Sequence, residues 1–180
     1  MRTSVRRGSP RGLQYYIALG SNLGDREATL RRAWTMLSDL CRANKLSPLY
    51  ETRPMYVVDQ PLYLNAVGQV SCDLEPLDML NTLHRIEREL GRDRTKEIRM
   101  GPRTLDLDIL LCGDLVMDSP KLTIPHPRIT ERMFVLVPLL ALSPRLRDPR
   151  SGIPYAESLA LLRSDKEVTD AGGVYLYPSG

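Results

Sequence analysis

Two aspartates separated by a single residue carry the clearest chemical signal in this sequence. Asp106 and Asp108 fall in a largely apolar run, residues 105–112, whose alternation predicts a β-strand. Because alternate side chains of a strand share a face, the two carboxylates are expected side by side. The opposite face is predicted to turn four apolar side chains toward the core: Leu105, Leu107, Ile109 and Leu111.

This diacidic pattern is typical of a metal site but does not establish one. Neighbouring carboxylates repel each other and resist joint ionisation unless a cation lies between them. Hard divalent cations such as Mg²⁺ prefer carboxylate oxygens and often bridge them to phosphates. Two aspartates in a D-x-D pair are nevertheless more often simply solvated on an exposed sheet face, so the neighbouring residues must decide.

The segment before the strand is strongly basic. It contains five cationic residues against two acids: Arg92, Arg94, Lys96, Arg99 and Arg103. Arginine forks match phosphate oxygens, and a cationic loop beside a diacidic strand suits a polyphosphate held with Mg²⁺ between them. Charged runs are usually solvated surface loops, but the rigid Gly-Pro step before Arg103 favours a structured one.

Several other enzyme classes are excluded by motif. The sequence has no G-x-x-x-x-G-K-[ST] phosphate loop, no dinucleotide fingerprint and no G-x-S-x-G nucleophile elbow. It has two histidines, of which His126 lies between two prolines, where a restrained loop can hold the imidazole toward an anion. Taken alone, that last signal is weak.

Length and composition indicate one soluble globular domain. The chain has 180 residues, of which 42% are apolar and 26% charged. Removing the four arginines of the first twelve residues lowers the formal net charge from +3 to −1, so the body is not a basic nucleic-acid binder. No apolar run is long enough to span a membrane. The three cysteines are far apart and favour a reducing, cytoplasmic location (Cys41, Cys72 and Cys112).

The elements that must position these residues follow from hydrophobic periodicity. Strands are predicted over residues 15–19, 46–51, 64–72 and 105–112, and helices over 26–40, 76–91, 132–142 and 153–162. This β-α-β-β-α-β order, followed by helices, predicts an α+β, ferredoxin-like fold whose two long helices cover one face of a largely antiparallel sheet. We expect residues 1–14 to be a disordered basic tail, 15–163 to be a single domain and 164–180 to be loosely ordered.

Five groups of residues match a known family in order. They are Ala18-Leu19-Gly20-Ser21-Asn22-Leu23-Gly24; Asp59-Gln60-Pro61 with Tyr63-Leu64-Asn65-Ala66; Ile86-Glu87 with Gly91-Arg92; the run from Arg99-Met100-Gly101-Pro102-Arg103 through Asp108; and Pro125-His126-Pro127-Arg128 before Arg132 and Phe134. Over about residues 15–146 the chain resembles the 6-hydroxymethyl-7,8-dihydropterin pyrophosphokinases of folate biosynthesis. Such enzymes transfer pyrophosphate from ATP to a reduced pterin and release AMP.

The resemblance implies a role for each matching residue. Asp106 and Asp108 would hold two Mg²⁺ ions, and Arg92 and Arg103 would stabilise charge on the β-phosphorus of ATP. The residues implied in ATP binding are Glu87, Arg94, Arg99, Ile109, His126 and Arg132. Those implied in pterin binding are Thr52, Pro54, Met55, Tyr63, Asn65 and Phe134, with the two aromatic rings on the faces of the pterin and Asn65 at its polar edge. Read without the resemblance, Phe134 would be an ordinary core residue, and Tyr63 and Asn65 ordinary strand residues.

Two departures and two rival functions remain. The loop directly after Pro54 lacks the glycine that the family often has there, and Met100 stands where some members have a tryptophan that helps to close the site. The first rival is a nucleic-acid-binding module on a ferredoxin-like scaffold, which the two aspartates on the relevant face disfavour. The second is a catalytically silent homologue. We expect a stand-alone, monomeric enzyme whose partners are small molecules and not nucleic acid or membrane.

Overall fold

The computed structural model describes residues 12–54, 59–93, 101–165 and 173–178. The strands are β1 (Leu13–Ser21), β2 (Arg42–Leu46), β3 (Tyr50–Thr52), β4 (Tyr63–Cys72), β5 (Asp106–Cys112), β6 (Met117–Asp118), β7 (Thr123–Ile124) and β8 (Val174–Leu176). The helices are α1 (Arg26–Leu40), α2 (Pro76–Glu89), α3 (Met133–Leu142) and α4 (Tyr155–Ser164), with a 3₁₀ turn at Ile129–Glu131. None of these helices has the length and apolar character needed to cross a membrane.

One antiparallel sheet organises the chain. Its strand order is β5-β1-β4-β3-β8, and β2 also pairs with β4. β1 therefore lies between β4 and β5, inside the sheet. The α+β fold with a largely antiparallel sheet is confirmed.

Helices α1 and α2 cover one face of the sheet. Asp25 caps α1 by accepting a hydrogen bond from the Ala28 amide at 3.0 Å, and Pro76 opens α2. The apolar side chains that recur along both helices pack on β1, β4 and β5: Leu30, Ala33, Leu37, Met79, Leu83 and Ile86. Gly68 in β4 makes room for Trp34, because a Cβ there would lie 2.3 Å from the indole ring.

Helices α3 and α4 cover part of the other face. Their buried residues form a second apolar cluster over the middle of the sheet, with Val67 of β4 fully buried beneath them. On the same face, Asp106 at the start of β5 keeps 32% of its side chain exposed. One end of this face is therefore left open, and the polar residues of β1, β4 and β5 converge there.

A bulge in β5 corrects the predicted alternation. Tyr16 of β1 pairs with Leu111, whereas the next residue, Ile17, pairs with Ile109, so Leu110 is an extra residue in β5. Leu107 and Ile109 face α1 and α2 as predicted. Leu111 was predicted to share their face, which is wrong, because the bulge turns it into the second cluster under α3.

Three differences between the predicted and the observed boundaries change the sheet. β1 begins at Leu13, so the last residues of the segment expected to be a disordered tail are part of the sheet. The strand predicted over residues 46–51 is two strands, β2 and β3. Within the C-terminal segment expected to be loosely ordered, Val174–Leu176 pairs with β3, because the exposed edge of β3 offers unpaired backbone groups.

Candidate active site

A row of three residues crosses the open end of the sheet. Gly20 of β1 pairs with Asn65 of β4 on one side and with Asp106 of β5 on the other. Directly opposite residues of an antiparallel pair point to the same face. A Cβ on Gly20 would lie 3.3 Å from the Asn65 Oδ1 and 4.0 Å from the Asp106 Cβ. Glycine therefore leaves a flat floor between an amide and a carboxylate.

Two arginines meet at Asp106. The Arg92 Nη1 donates to the Asp106 Oδ1 at 2.6 Å, and the Arg103 Nη1 donates to the Asp106 Oδ2 at 3.3 Å. The Arg92 side chain is 6% exposed and that of Arg103 19%. Three of the four residues that the resemblance assigned to catalysis are therefore brought together in direct contact.

Asp108, the fourth residue of that set, follows on the same face of β5. Burial, together with the neighbouring Asp106 carboxylate, raises the pKa of its carboxyl from 3.8 to about 6, against the opposing effect of the Arg132 guanidinium. The structure thus places the Asp106 carboxylate close enough to disfavour the ionisation of Asp108. Their oxygens are the donors that Mg²⁺ prefers, and a bound cation would remove the repulsion.

Glu87 does not lie where a nucleotide ligand could. Its side chain is completely buried, and its Oε1 accepts hydrogen bonds from the Arg92 Nη1 and from the Leu107 amide, the latter at 2.9 Å. The burial of this carboxylate does not support the predicted role of Glu87 in ATP binding, which stays a prediction. The carboxylate faces inward because α2 turns this residue onto the edge of β5 rather than toward the open face.

The side chain of Ile109 is also buried. Its side chain is 2% exposed and belongs to the core between the sheet and helices α1 and α2. β5 is an edge strand, so any contact with a ligand is left to the backbone of Ile109. The predicted role in ATP binding does not extend to the side chain.

His126 and Arg132 approach the acidic residues from the segment before α3. The His126 amide donates to the Leu110 carbonyl at 2.9 Å, which fixes the histidine beside β5. Burial, together with the guanidiniums of Arg132 and Arg128, lowers the pKa of its imidazole to about 4. The His126 Nδ1 accepts from the Arg128 amide at 3.1 Å, so the neutral ring carries its proton on Nε2.

Arg132 presents an uncommitted donor. Its Nε is buried and has no hydrogen-bond partner among the described residues. Its guanidinium carbon lies 5.6 Å from the centre of the Phe134 ring, so the cation stacks on the aromatic face. Phe134 itself is half-buried at the start of α3 and packs against the second apolar cluster.

The amide side of the floor is formed by β3 and β4. The Asn65 Nδ2 donates to the Thr52 Oγ1 at 2.8 Å, and both residues are buried. Pro54, just after β3, is also buried. The Tyr63 hydroxyl donates to the Gly101 carbonyl at 3.4 Å, and burial raises the pKa of that phenol. Thr52, Asn65 and Tyr63 thus lie together, as the resemblance implied, while Met55, Arg94 and Arg99 lie outside the described residues.

Asn22 is a functional-site residue that the sequence reasoning placed in a motif but gave no role. It is 1% exposed, and its side-chain Oδ1 accepts a hydrogen bond from the Arg103 backbone amide at 2.7 Å. The backbone amide of Asn22 donates to the Arg103 carbonyl at 3.1 Å. Its Nδ2 donates to the Gln60 Oε1 at 3.2 Å and to the Pro61 carbonyl at 3.3 Å. One side chain therefore ties the segment before β5 to the segment before β4.

The signal for Asn22 and Gly20 was present in the sequence. Both lie in the run Gly20-Ser21-Asn22-Leu23-Gly24, for which a tight turn from strand to helix is the simplest interpretation. That interpretation accounts for the glycines but not for an asparagine that is buried. A buried amide needs partners for both its oxygen and its nitrogen, which points to tertiary contacts.

Comparisons with known proteins agree with this geometry. The sequence model of the 7,8-dihydro-6-hydroxymethylpterin-pyrophosphokinase (HPPK) family matches residues 16–144. The chain is 47% identical over 126 residues to the 2-amino-4-hydroxy-6-hydroxymethyldihydropteridine pyrophosphokinase of Bacillus subtilis, which covers 69% of this chain and 74% of that protein. It is 44% identical over 166 residues to the folic acid synthesis protein fol1 of Schizosaccharomyces pombe, which covers 91% of this chain but 21% of that protein.

The fold has a counterpart among solved structures. A crystal structure of Plasmodium falciparum HPPK-DHPS aligns with a TM-score of 0.68 at 16% sequence identity, over 89% of this chain and 46% of that one. This likeness concerns the fold. The chain spans about a fifth of the fission yeast protein and under half of the parasite protein, so it matches one part of each.

Proposed function

The chain belongs to the 7,8-dihydro-6-hydroxymethylpterin-pyrophosphokinase family, and on this premise we propose that it transfers pyrophosphate from ATP to 6-hydroxymethyl-7,8-dihydropterin. The products are the pterin diphosphate and AMP, and the reaction belongs to folate biosynthesis. The row Asn65–Gly20–Asp106 carries the proposal. It sets an amide suited to a heterocycle beside a carboxylate suited to a metal–polyphosphate complex, with no side chain between them.

Asp106 and Asp108 hold Mg²⁺ in this proposal, and two ions are expected from the family. When bound there, the metal neutralises charge on the phosphate oxygens of ATP. The pKa of Asp108 is raised first by burial and then by the Asp106 carboxylate, and a cation held between the two carboxylates would remove that repulsion, which supports this assignment. Asp106 is also contacted by Arg92 and Arg103, so the same carboxylate orients both guanidiniums.

The arginines and His126 act on the donor. Arg92 and Arg103 stabilise the negative charge that develops on the transferred group, since phosphoryl-type transfer depends on positioning and charge neutralisation more than on covalent chemistry. His126 stays neutral because its pKa is lowered to about 4, and its Nε2–H donates to a phosphate oxygen. The buried Nε of Arg132, which lacks a partner among the described residues, supplies a further donor.

The acceptor lies on the other side of Gly20. Asn65 and Thr52, already hydrogen-bonded to each other, read the polar edge of the pterin, with the backbone near Pro54. Tyr63 and Phe134 supply the aromatic faces between which a flat ring can stack. Phe134 stands at the start of α3, which packs on the strands that carry Asn65 and Thr52.

The setting of the enzyme is also proposed. The three cysteines are free, buried thiols, which suits a reducing, cytoplasmic compartment. Its partners are its two substrates, and a monomer is expected by size-exclusion chromatography. The silent-homologue alternative is disfavoured by the contacts among Arg92, Arg103 and Asp106, which are in place.

Nucleotide product analysis tests the proposal. The protein is incubated with Mg-ATP, with and without 6-hydroxymethyl-7,8-dihydropterin, and nucleotides are separated by ion-exchange chromatography. AMP that forms only with the pterin supports pyrophosphoryl transfer. ADP would indicate a different kinase, and no consumption of ATP by protein with an intact unfolding transition would indicate a silent homologue.

A matched pair of variants tests the metal role. Asp108→Ala should reduce turnover by at least about 100-fold, because it removes metal-mediated charge stabilisation. Asp114→Ala, in the exposed turn after β5, serves as the control and should leave turnover unchanged. Near-normal turnover of Asp108→Ala would refute the assignment.

A further inference from the structure

We propose that Glu87 is a positioning residue that aligns Arg92 with the diacidic strand and contacts neither substrate. The inference rests on the proposed function, because it assigns a second layer of residues to the same reaction. It replaces the expectation that Glu87 binds ATP with a different role for the same side chain.

Burial separates Glu87 from any ligand. The residue is 0% exposed and lies next to Ile86 on the face of α2 that packs in the core. A carboxylate in such a place loses its hydration, and it is retained as a charged group only where a cation and hydrogen-bond donors replace the water. Burying this charge lowers the stability of the fold unless its contacts replace the lost hydration, which points to a role for those contacts.

Those contacts converge on the reacting groups. A single oxygen, Oε1, accepts from the Arg92 Nη1 and from the Leu107 amide at 2.9 Å. Leu107 is the residue between Asp106 and Asp108. The same Arg92 nitrogen continues to the Asp106 Oδ1 at 2.6 Å. The path Leu107–Glu87–Arg92–Asp106 is thus closed on itself within the site.

The backbone reinforces this arrangement. The Arg92 amide donates to the Glu87 carbonyl at 2.9 Å, three residues after α2 ends at Glu89 and directly after Gly91, whose φ is +90°. The chain therefore turns back on the helix, and the Arg92 side chain is directed inward, where 6% of it is exposed. Both ends of Arg92 are fixed by one residue.

The position of β5 at the edge of the sheet explains why the Leu107 amide is bonded to a side chain. β5 is an edge strand that pairs with β1 on one side. Leu107 lies opposite Leu19, and its amide points away from β1 to Glu87 instead. Among the described residues no strand pairs with β5 on this side, so Glu87 supplies the acceptor between the two aspartates and holds the strand and the arginine in one register.

Removing the charge of Glu87 while keeping its size distinguishes a positioning role from a purely packing role. Glutamine at position 87 keeps the size and the acceptor oxygen for the Leu107 amide but removes the negative charge that faces Arg92. Arg92 then loses one of the two carboxylates that orient it on this path, so its guanidinium is held less firmly for the charge that develops on the transferred group. The expected result is a loss of kcat without a loss of substrate affinity.

The experiment compares Glu87→Gln with Glu89→Gln in full-length protein. Glu89 is on the same helix with 54% of its side chain exposed, so its variant is the matched control. We expect Glu87→Gln to lower kcat by at least about tenfold and to change KM for ATP and pterin by less than about threefold. An unchanged kcat would overturn the proposal. A raised KM for ATP with unchanged kcat would show that Glu87 binds the nucleotide, and it would also overturn the proposal.

A double-mutant cycle provides a second readout. If Glu87 acts through Arg92, then adding Glu87→Gln to Arg92→Lys should lower kcat by less than about twofold further, whereas independent effects would multiply. Multiplicative effects would contradict the proposal. Should Glu87→Gln fail to fold, Glu87→Asp takes its place, because the shorter side chain keeps the charge but cannot reach both Arg92 and Leu107.

A measurement without substrates keeps this inference distinct from the proposed function. The side-chain N–H signals of Arg92 should be resolved and slowly exchanging in the NMR spectrum of the wild type, and they should broaden in Glu87→Gln. This result does not require turnover, so it stands even if no AMP is formed. Unchanged Arg92 signals in the variant would overturn the positioning role.

Discussion

Replacing Asp108 by asparagine should stabilise the metal-free protein while it removes the proposed activity. The Asp108 carboxyl is half-buried, and its pKa is raised from the ordinary 3.8 to about 6 by burial and by the adjacent Asp106. At pH 7.5 the folded protein must therefore hold a charge that the unfolded chain holds more easily. Asparagine has nearly the same shape without that charge.

The magnitude follows from the pKa. A pKa raised by about 2 corresponds to about 3 kcal/mol, since each unit is worth about 1.4 kcal/mol. Part of the carboxyl meets solvent, and the buried amide has its own desolvation cost, so we expect a gain of about 1–2 kcal/mol in the free energy of unfolding at pH 7.5. At low pH the difference in stability between the variant and the wild type disappears and does not change sign. The folded state binds the proton between pH 6 and 3.8 while the unfolded state does not, so wild-type stability recovers as pH falls and the difference vanishes below about pH 4.

Urea denaturation in EDTA at pH 7.5, 6, 5 and 4 measures this difference. Trp34, the single tryptophan, packs against Gly68 in the core and reports unfolding by fluorescence. Asp114→Asn in the exposed turn is the control and should change the free energy of unfolding by less than about 0.5 kcal/mol. A variant Asp108→Asn that is less stable at pH 7.5, or a gain that does not depend on pH, would refute the reasoning.

Three further predictions concern residues around the site. Asn22→Asp keeps the acceptor oxygen but replaces the amide donor by an oxygen that faces the Gln60 Oε1, so it should lower kcat by about tenfold or more, as steady-state kinetics will show. The residue pair 49 and 177 is hydrogen-bonded, so by alternation Tyr175 and Glu51 of β3 also form a hydrogen-bonded pair. Tyr175→Pro removes the backbone N–H that pairs with β3, the strand that carries Thr52, and should therefore raise the KM for the pterin. Tyr175→Ala only truncates a side chain that is 66% exposed and should leave this KM unchanged. The ring signals of His126 should titrate in NMR with a midpoint near pH 4; because its pKa in the fold lies below that in the unfolded chain, stability should fall between pH 6.5 and 4 more for the wild type than for His126→Gln.

Local pattern was sufficient for much of the fold. Helix α1 begins and ends as predicted, at Arg26–Leu40, because its N-cap and apolar spacing are encoded within one segment. The face shared by Asp106 and Asp108 was also predictable, because period-two alternation holds up to the bulge. Motif matching then grouped residues that lie far apart in the chain, and the structure brings Arg92, Arg103 and Asp106 into contact.

What local pattern missed depends on pairings between distant segments. The bulge at Leu110 is visible only when β5 is set against β1. The C-terminal strand exists because β3 leaves an edge for it to pair with. The burial of Glu87 needs the packing of α2 against that same β5 edge, since its position on the helix alone is equally compatible with exposure.

Gly20 connects the two halves of the proposed reaction through strand spacing. Neighbouring strands lie about 4.8 Å apart, so Asn65 and Asp106, one strand away on either side of Gly20, are separated by roughly 10 Å at the backbone. A flat heterocycle held at Asn65 must therefore direct its hydroxymethyl group across Gly20 to meet a phosphate held at Asp106. Any side chain at position 20 would occupy that path, since even a Cβ comes within 3.3 Å of the Asn65 oxygen. The glycine is thus required by the site rather than by the backbone of β1, which is an ordinary extended strand at this position.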